Sequence, residues 1–444
     1  MRFLQNLALN YLPVPFLRNR LANLAKVSDC TGNTDRQLLI DVSAIAQTDA
    51  GTGIQRVVRN LYQALLAAPP EGYRIYPVAA TRKQAYGYLP TDFLQQPAHN
   101  SAFVPLAPIQ VRAGDIFLGL DLSAHIVPHH MPELFRWKQQ GVRMSFVIYD
   151  LLPVLEPAWF NPKATHNFHR WLRAMAILAD DAIAISRTVQ TDFSAWMQQH
   201  FGLSKSDIPC ATIPLGAELD ITPSRQPATA QPVQLPPQLS QHPFILMVGT
   251  IEPRKAYADA LDAFETLWTT GNETRLAIVG KQGWKVEALI QRLQTHAEAG
   301  KRLVWLNTSD DNVLRTLYQL CQGVLMASKG EGYGLPLIEA AYFNKPMLVR
   351  DIPVFREIVG NAASYFSDAA HNSLVQVLPQ WLIKLEATGG AVDYPGSITW
   401  QASCAQLVKA LLPHSSGVRH TEQTSQPAFV KASSMQPAPR NSTP

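Results

Sequence analysis

Two glutamates, Glu331 and Glu339, bracket the stretch EGYGLPLIE, in which Gly332, Gly334 and Pro336 suit a turn that opens into a helix. A helix N-terminus draws anions, whereas carboxylates beside it repel them. A ligand that is anionic in its middle and hydroxylated at both ends resolves the conflict. Backbone amides then meet the anion, and each carboxylate accepts from hydroxyls on its own side. Ribose, diphosphate and sugar, joined in that order, have this polarity. With a helix beginning near Pro336, Glu339 is expected in its first turn, and the glycines are expected to let backbone approach the ligand. The cheaper alternative, a first-turn acid favouring the helix dipole and a second acid capping a loop, explains Glu339 but leaves the glycines without a reason.

Three further constellations follow apolar, strand-like runs. Arg254 and Lys255 stand just after FILMVGT, in VGTIEPRKAY. A forked guanidinium and a mobile ammonium there could neutralise a diphosphate, although adjacent surface cations are commonly only solvated. Stabilising the charge that grows on a departing diphosphate would be catalysis, since the interaction strengthens toward the transition state. Gly51-Thr52-Gly53, between LLIDVSAI and an apparent helix, could offer amides to a phosphate, or be a structural turn; it is not the dinucleotide-binding glycine fingerprint. Asp150, at the end of MSFVIYD, would face a cleft or cap a loop.

These residues need elements to hold them. Strands are expected at 38–45, 115–120, 144–150, 181–186 and 211–216, and again at 244–250, 276–280, 303–307, 323–328 and 346–351, with helix-like stretches between. Continuous apolar strands alternating with helices imply parallel sheets covered on both faces, whose ligands bind beyond the strands' carboxyl ends. The expected organisation is a first Rossmann-like α/β domain over 1–221, a linker at 222–243 with six prolines, a second over 244–396, a helix over 397–412, and a disordered Ser/Pro/Gln/Thr-rich tail over 413–444.

The 444 residues carry 38 basic against 34 acidic side chains, a net charge of +4, too small to argue for nucleic acid. Cys30, Cys210, Cys321 and Cys404 are scattered without paired spacing, as buried thiols in a reducing compartment would be. No stretch supplies the ~20 apolar residues of a membrane span. Residues 1–28 are apolar with Arg2, Arg18, Arg20 and Lys26. They are expected either to touch a membrane surface or to pack as a helix on the first domain.

Together KGEGYGLPLIEA and GTIEPRKAY resemble the Glu-x7-Glu and Glu-Pro-Arg-Lys signatures of retaining glycosyltransferases of family 4, which have the GT-B fold. RDIPVFREIVGNAASYF and SITWQASCAQLV fit the same family. In the first half TGIQRVVR, IYDLLPVLEP and ADDAIAIS resemble mannosyl- and rhamnosyltransferases of bacterial surface polysaccharide synthesis. The resemblance implies two doubly wound domains facing a cleft, with the last helix crossing back to the first domain. It implies that Arg254 and Lys255 hold the donor diphosphate, Glu331 the transferred sugar and Glu339 the ribose. Gly334, Leu335, Gly51 and Gly53 would offer backbone to the phosphates or sugar, Leu314 would cradle the base, and Asp150 would face the donor. It further implies a GDP-linked sugar donor, no cofactor or metal, a glycan or lipid-linked acceptor, and a cytoplasmic location, with peripheral inner-membrane contact through residues 1–28. Two departures stand out: Ala256 replaces an Asn that often follows the Arg-Lys pair, and Tyr149 replaces a His before Asp150. His125, His129 and His130 do not replace it by position. The alternatives are a nucleotide-sugar epimerase on the same fold and a non-catalytic carbohydrate-binding subunit.

Overall fold

The computed structural model describes residue 9 and residues 12–24, 35–95, 107–219, 235–307, 310–388, 394, 396 and 398–412. The C-terminal tail and most of the proline-rich linker lie outside these residues, as does Cys30. Two α/β units are present. The first sheet comprises β1 (Arg36–Asp41), β2 (Tyr73–Ala79), β3 (Gly87–Tyr88), β4 (Ile116–Gly119), β5 (Arg143–Ile148), β6 (Asp181–Ala184) and β7 (Cys210–Thr212), in the order β3-β2-β1-β4-β5-β6-β7. The second comprises β8 (Phe244–Val248), β9 (Arg275–Val279), β10 (Leu303–Leu306), β11 (Gly323–Met326), β12 (Met347–Arg350) and β13 (Ser364–Phe366), in the order β10-β9-β8-β11-β12-β13. Every pairing is parallel except that of β2 with β3. Strands such as IFLG and GVLM are buried throughout because helices cover both sheet faces.

Several expectations need correction. The run 38–45 is not one strand: β1 stops at Asp41 and a short helix, Ser43–Gln47, begins two residues later. The cause is local. Asp41 is fully buried and accepts from both the backbone N–H (2.9 Å) and the hydroxyl of Ser43, which turns the chain out of the strand. Asp121, after β4, accepts from Ile45 N–H at 2.7 Å and holds the same turn from the neighbouring strand. β2, β3 and β13 had no expected counterpart. Pro77 conceals β2, yet it is tolerated. Its carbonyl accepts from Leu89 N–H on the side away from β1, so the missing N–H faces that side too. Within the expected linker, Pro237–Ser240 forms a helical turn that buries Leu239.

The helix Val14–Leu24 buries Val14, Leu17 and Leu21. Arg18 donates to the carbonyls of Ala176 (3.0 Å) and Ala179 (2.9 Å), at the end of the helix Pro162–Leu178. A cation at a helix C-terminus is favourable, so Arg18 is committed to the first domain rather than to lipid. The helix Trp400–Leu411 crosses back as expected: Trp400 donates its indole N–H to Glu218 O (3.0 Å) and Ser403 its hydroxyl to Pro214 O (2.6 Å).

The two sheets present their carboxyl ends to each other, and their loops touch. A Cβ added at Gly332 would lie 1.9 Å from the carbonyl oxygen of Tyr149, so only glycine allows this approach. The glycine expected to admit a ligand therefore admits the opposite domain. Ser186 Oγ donates to Gly332 O (2.8 Å), and Leu215 N–H to the Tyr333 hydroxyl (3.0 Å). The Glu357 carboxylate of the second domain caps the first-domain helix Arg187–Phe201, accepting from Arg187 N–H (2.6 Å) and Thr188 N–H (2.9 Å).

Gly332→Ala should hold the domains apart, raising the radius of gyration in solution scattering while far-ultraviolet dichroism is kept; unchanged scattering would contradict the close approach. A second outcome concerns Asp41. Burial pushes its carboxyl up to about 7, against its bonds from Ser43 and Tyr86. An acid raised on folding contributes stability that is present below its unfolded value near ~3.9 and is lost as pH rises through the folded value. The melting temperature of Asp41→Asn should therefore gain on wild type between pH ~4 and ~7; a pH-independent difference would contradict it.

Candidate active site

A cleft of about 370 Å³ lies between the domains. Its lining includes every residue expected of the site: Gly51, Gly53 and Asp150 from the first domain, and Arg254, Lys255, Leu314, Glu331, Gly334, Leu335 and Glu339 from the second. Residues distant in sequence meet because each follows the carboxyl end of a strand in one of two facing sheets.

The floor is a buried ion cluster. Arg254 Nη1 donates to Glu331 Oε2 at 2.6 Å and to Gly330 O at 3.0 Å, and its Nη2 lies 2.7 Å from Glu252 Oε1. Lys255 Nζ bonds the other Glu331 oxygen. Burial alone would raise the Glu331 carboxyl, but Arg254 and Lys255 override it and hold the group down at about 2. The Arg254 guanidinium is moved the other way: burial opposes its charge, and Glu331, Glu252 and Asp150 more than restore it. Asp150 and Glu252 are both raised by burial, against the pull of Arg254 and Lys255. Three carboxylates thus share two cations. Of the three, only Glu331 is held below its ordinary value, because it alone is bonded by both.

Backbone geometry fixes this cluster. Pro253–Lys255 form a 3₁₀ turn ended by Ala256 at φ 52°, in the left-handed region. Asn tolerates that region better than Ala, so the Asn that the family resemblance implies at this position has a backbone reason. No side-chain contact to a ligand is needed to explain it.

Above the floor, two helix N-termini converge. Gly53–Ala67 starts after Thr52, whose hydroxyl accepts from Gln55 N–H while Gln55 Oε1 accepts from Thr52 N–H, a reciprocal cap. Val57, Val58, Leu61 and Leu65 bury its inner face at helical spacing. Leu335–Tyr342 starts after Gly334, whose φ of 101° needs glycine. A Cβ added at Gly53 would lie 3.5 Å from Leu335 Cδ1, so the two starts face each other. Two positive dipole ends aimed at one space favour an anion there.

Glu339 is not in the first turn: the helix opens at Leu335, so Glu339 is its fifth residue. It is buried, and both oxygens are engaged, Oε1 by Arg56 Nη1 and Oε2 by the Tyr318 hydroxyl at 2.7 Å. Arg56 Nη2 also reaches Asp311 Oδ1 at 3.0 Å, making a bridge between domains. Sequence reasoning missed Arg56. Its signal was its place one turn after Gly53, on the helix face that must point where Gly53 points. Leu314 is buried on the helix Asp311–Leu320, whose start is capped by Asp310 accepting from Asn312 N–H at 2.8 Å. Tyr149 turns its hydroxyl into the first domain, donating to Leu120 O at 2.7 Å, and offers none to the cleft.

Residues 236–384 match the model of the family described as glycosyl transferases group 1. The serotype-specific mannosyltransferase WbdA of Escherichia coli is 36% identical over 387 residues, which are 85% of this chain and 45% of that protein. The chain thus spans about half the length of the curated relatives it matches most fully. Among solved structures, sucrose-phosphate synthase from Thermosynechococcus elongatus superposes with a TM-score of 0.54 at 16% identity, covering 85% of this chain and 94% of that one. Anabaena HepE in complex with UDP and glucose superposes with a TM-score of 0.52 at 12% identity, covering 84% and 95%. These likenesses concern the fold, and the two facing parallel sheets have the GT-B arrangement they share. Residues 236–384 thus carry a glycosyl transferases group 1 domain, and 85% of the chain is similar to proteins named mannosyltransferases.

Proposed function

We propose that the chain moves a hexose from a nucleoside diphosphate sugar to a hydroxyl of a glycan or lipid-linked acceptor in polysaccharide synthesis, with retention of the anomeric configuration. The observation that carries this reading is the meeting of two helix N-termini, at Gly53 and Leu335, over the Arg254–Lys255–Glu331 cluster. An anion between those helix starts has backbone amides on two sides and cations beneath it. Glu339 and Glu331 line the same cleft, the first read as the partner of the ribose and the second as that of the sugar.

When the donor binds, the diphosphate competes with Glu331 for Arg254 and Lys255. As the bond from sugar to phosphate lengthens, negative charge grows on the leaving oxygen and positive charge on the anomeric carbon. Arg254 and Lys255 stabilise the first and Glu331 the second, so groups that hold one another without the donor divide their duties in the transition state. The two cations thereby perform the task a divalent metal performs elsewhere. A same-face displacement, in which the leaving phosphate oxygen takes the acceptor's proton, fits this residue set better than a covalent intermediate. The closed approach at Gly332 would exclude water and limit hydrolysis of the donor.

Mannose as the transferred sugar is supported by the identity to a protein named a mannosyltransferase, and a GDP-linked donor, of mannose or a related deoxyhexose, is the form the family resemblance implies. An epimerase would need no acceptor, and the family match favours transfer. A non-catalytic subunit would have no need of the Arg254–Lys255–Glu331 set. Peripheral contact with the inner membrane would run through the exposed Phe16 and Arg20, because Arg18 is committed to carbonyls of the first domain.

Incubation of the protein with nucleotide sugars and a mannan-like acceptor should consume donor only when acceptor is present, with the product's anomeric proton showing retention. Donor converted without acceptor would overturn transfer. Arg254→Ala should lower turnover by about 10²–10³-fold with dichroism unchanged, by analogy with removal of a preorganised donor; wild-type turnover would remove the electrostatic account. Deleting residues 1–28 should abolish co-flotation with anionic vesicles, and retained flotation would refute the membrane contact.

A further inference from the structure

We propose that Arg56 is a two-position residue of the donor site, capping Glu339 when the cleft is empty and turning to the donor's phosphates once ribose hydroxyls occupy Glu339. The proposal rests on the reading of the cleft as a nucleoside diphosphate sugar site. Its starting point is that both Glu339 oxygens are engaged by protein: Arg56 on Oε1 and the Tyr318 hydroxyl on Oε2. A ribose diol brings two donors and needs room on that carboxylate, so one partner must yield.

The two partners are unequal. Tyr318 is fully buried in the second domain's core, and its ring stacks on Phe343. Arg56 arrives from the other domain, with 20% of its side chain exposed and a long stem that pivots freely. Asp311 lies 3.0 Å from Nη2, so release from Glu339 leaves the guanidinium one ionic partner. Arg56 is therefore the group that gives way, and giving way does not strand it.

The nearest place for the freed Nη1 is the space between the two helix starts. Gly53 precedes Arg56 by three residues on the same helix, so both look out from one face, and Gly53 faces Leu335 across the cleft. The other cations there are already spoken for: Arg254 holds Glu331 and Glu252, and Lys255 holds Glu331. Lys281 is exposed and donates to Ala50 O. An incoming diphosphate thus meets a floor whose positive charge is matched by carboxylates. Arg56, released from one of its two acids by the ribose of the same ligand, keeps Asp311 on one arm of its fork and frees the other arm for a phosphate oxygen. Ribose and diphosphate recognition become coupled through one side chain.

The test is calorimetric titration of wild type, Arg56→Leu and Arg56→Lys with guanosine, GDP, uridine and UDP. Arg56→Leu should bind the nucleosides more tightly, because only Tyr318 then remains on Glu339. It should bind the diphosphates more weakly, so that the affinity gained by adding the diphosphate falls about tenfold or more, the loss of one charge-assisted bond. Arg56→Lys should keep most of that gain, while its single ammonium, unable to span Glu339 and Asp311, still raises nucleoside affinity. An unchanged diphosphate gain in Arg56→Leu, or a parallel loss for both ligand types, would overturn the proposal. If Arg56→Leu does not fold, Arg56→Lys decides alone, and weaker nucleoside binding by it counts against the role. A wild type that binds none of the diphosphates would instead sink the reading of the cleft.

Discussion

The double engagement of Glu331 by Arg254 and Lys255 is the interaction on which the site depends. It ties the loop after β11 to the turn after β8, and that loop carries Gly332 against Tyr149 and delivers Gly334 to the start of the next helix. Breaking one arm of a buried pair of this kind costs about 3–5 kcal/mol, because a charge is left without compensation. Such a cluster is a poor device for stability alone, since an apolar replacement of similar size is often as good. Its presence makes sense where a visiting anion can take the cations over.

That logic also explains why acids crowd an anion site. The carboxylates of Glu331 and Glu339 hold Arg254, Lys255 and Arg56 in place. Preorganised cations would lose little freedom when the proposed donor arrives, and the acids they leave would be free to accept from its hydroxyls. The stretch EGYGLPLIE thus combines three tasks: Glu331 anchors the floor, Gly332 admits the opposite domain, and Gly334 with Leu335 opens the amide-bearing end of a helix.

Much of this was legible in the sequence, for physical reasons. Strands buried on both faces read as unbroken apolar runs, so ten of them were placed to within two residues, apart from the four-residue overruns past Asp41 and Thr212. The cation pair and the two glutamates were visible because they follow such strands directly, at the sheet edge where ligands of parallel α/β folds bind. What escaped depended on contacts between distant segments. β2 was hidden by Pro77, whose tolerance rests on which neighbour its carbonyl faces. Gly332 was assigned to a ligand because nothing local distinguishes a backbone that meets a nucleotide from one that meets Tyr149. Arg56 was missed because its meaning lies in Glu339 and Asp311, 283 and 255 residues away in sequence.

The central claim is that one nucleoside diphosphate spans the cleft from Glu339 to Glu331, and a crystal structure of the protein soaked with GDP or UDP tests it most directly. The account requires ribose hydroxyls on Glu339, a diphosphate between Gly53 and Leu335, and a phosphate oxygen within hydrogen-bond distance of Arg254 or Lys255. A nucleotide bound elsewhere, or one seated in the cleft with Arg254 and Lys255 still wholly paired to Glu331 and distant from the phosphates, would contradict it.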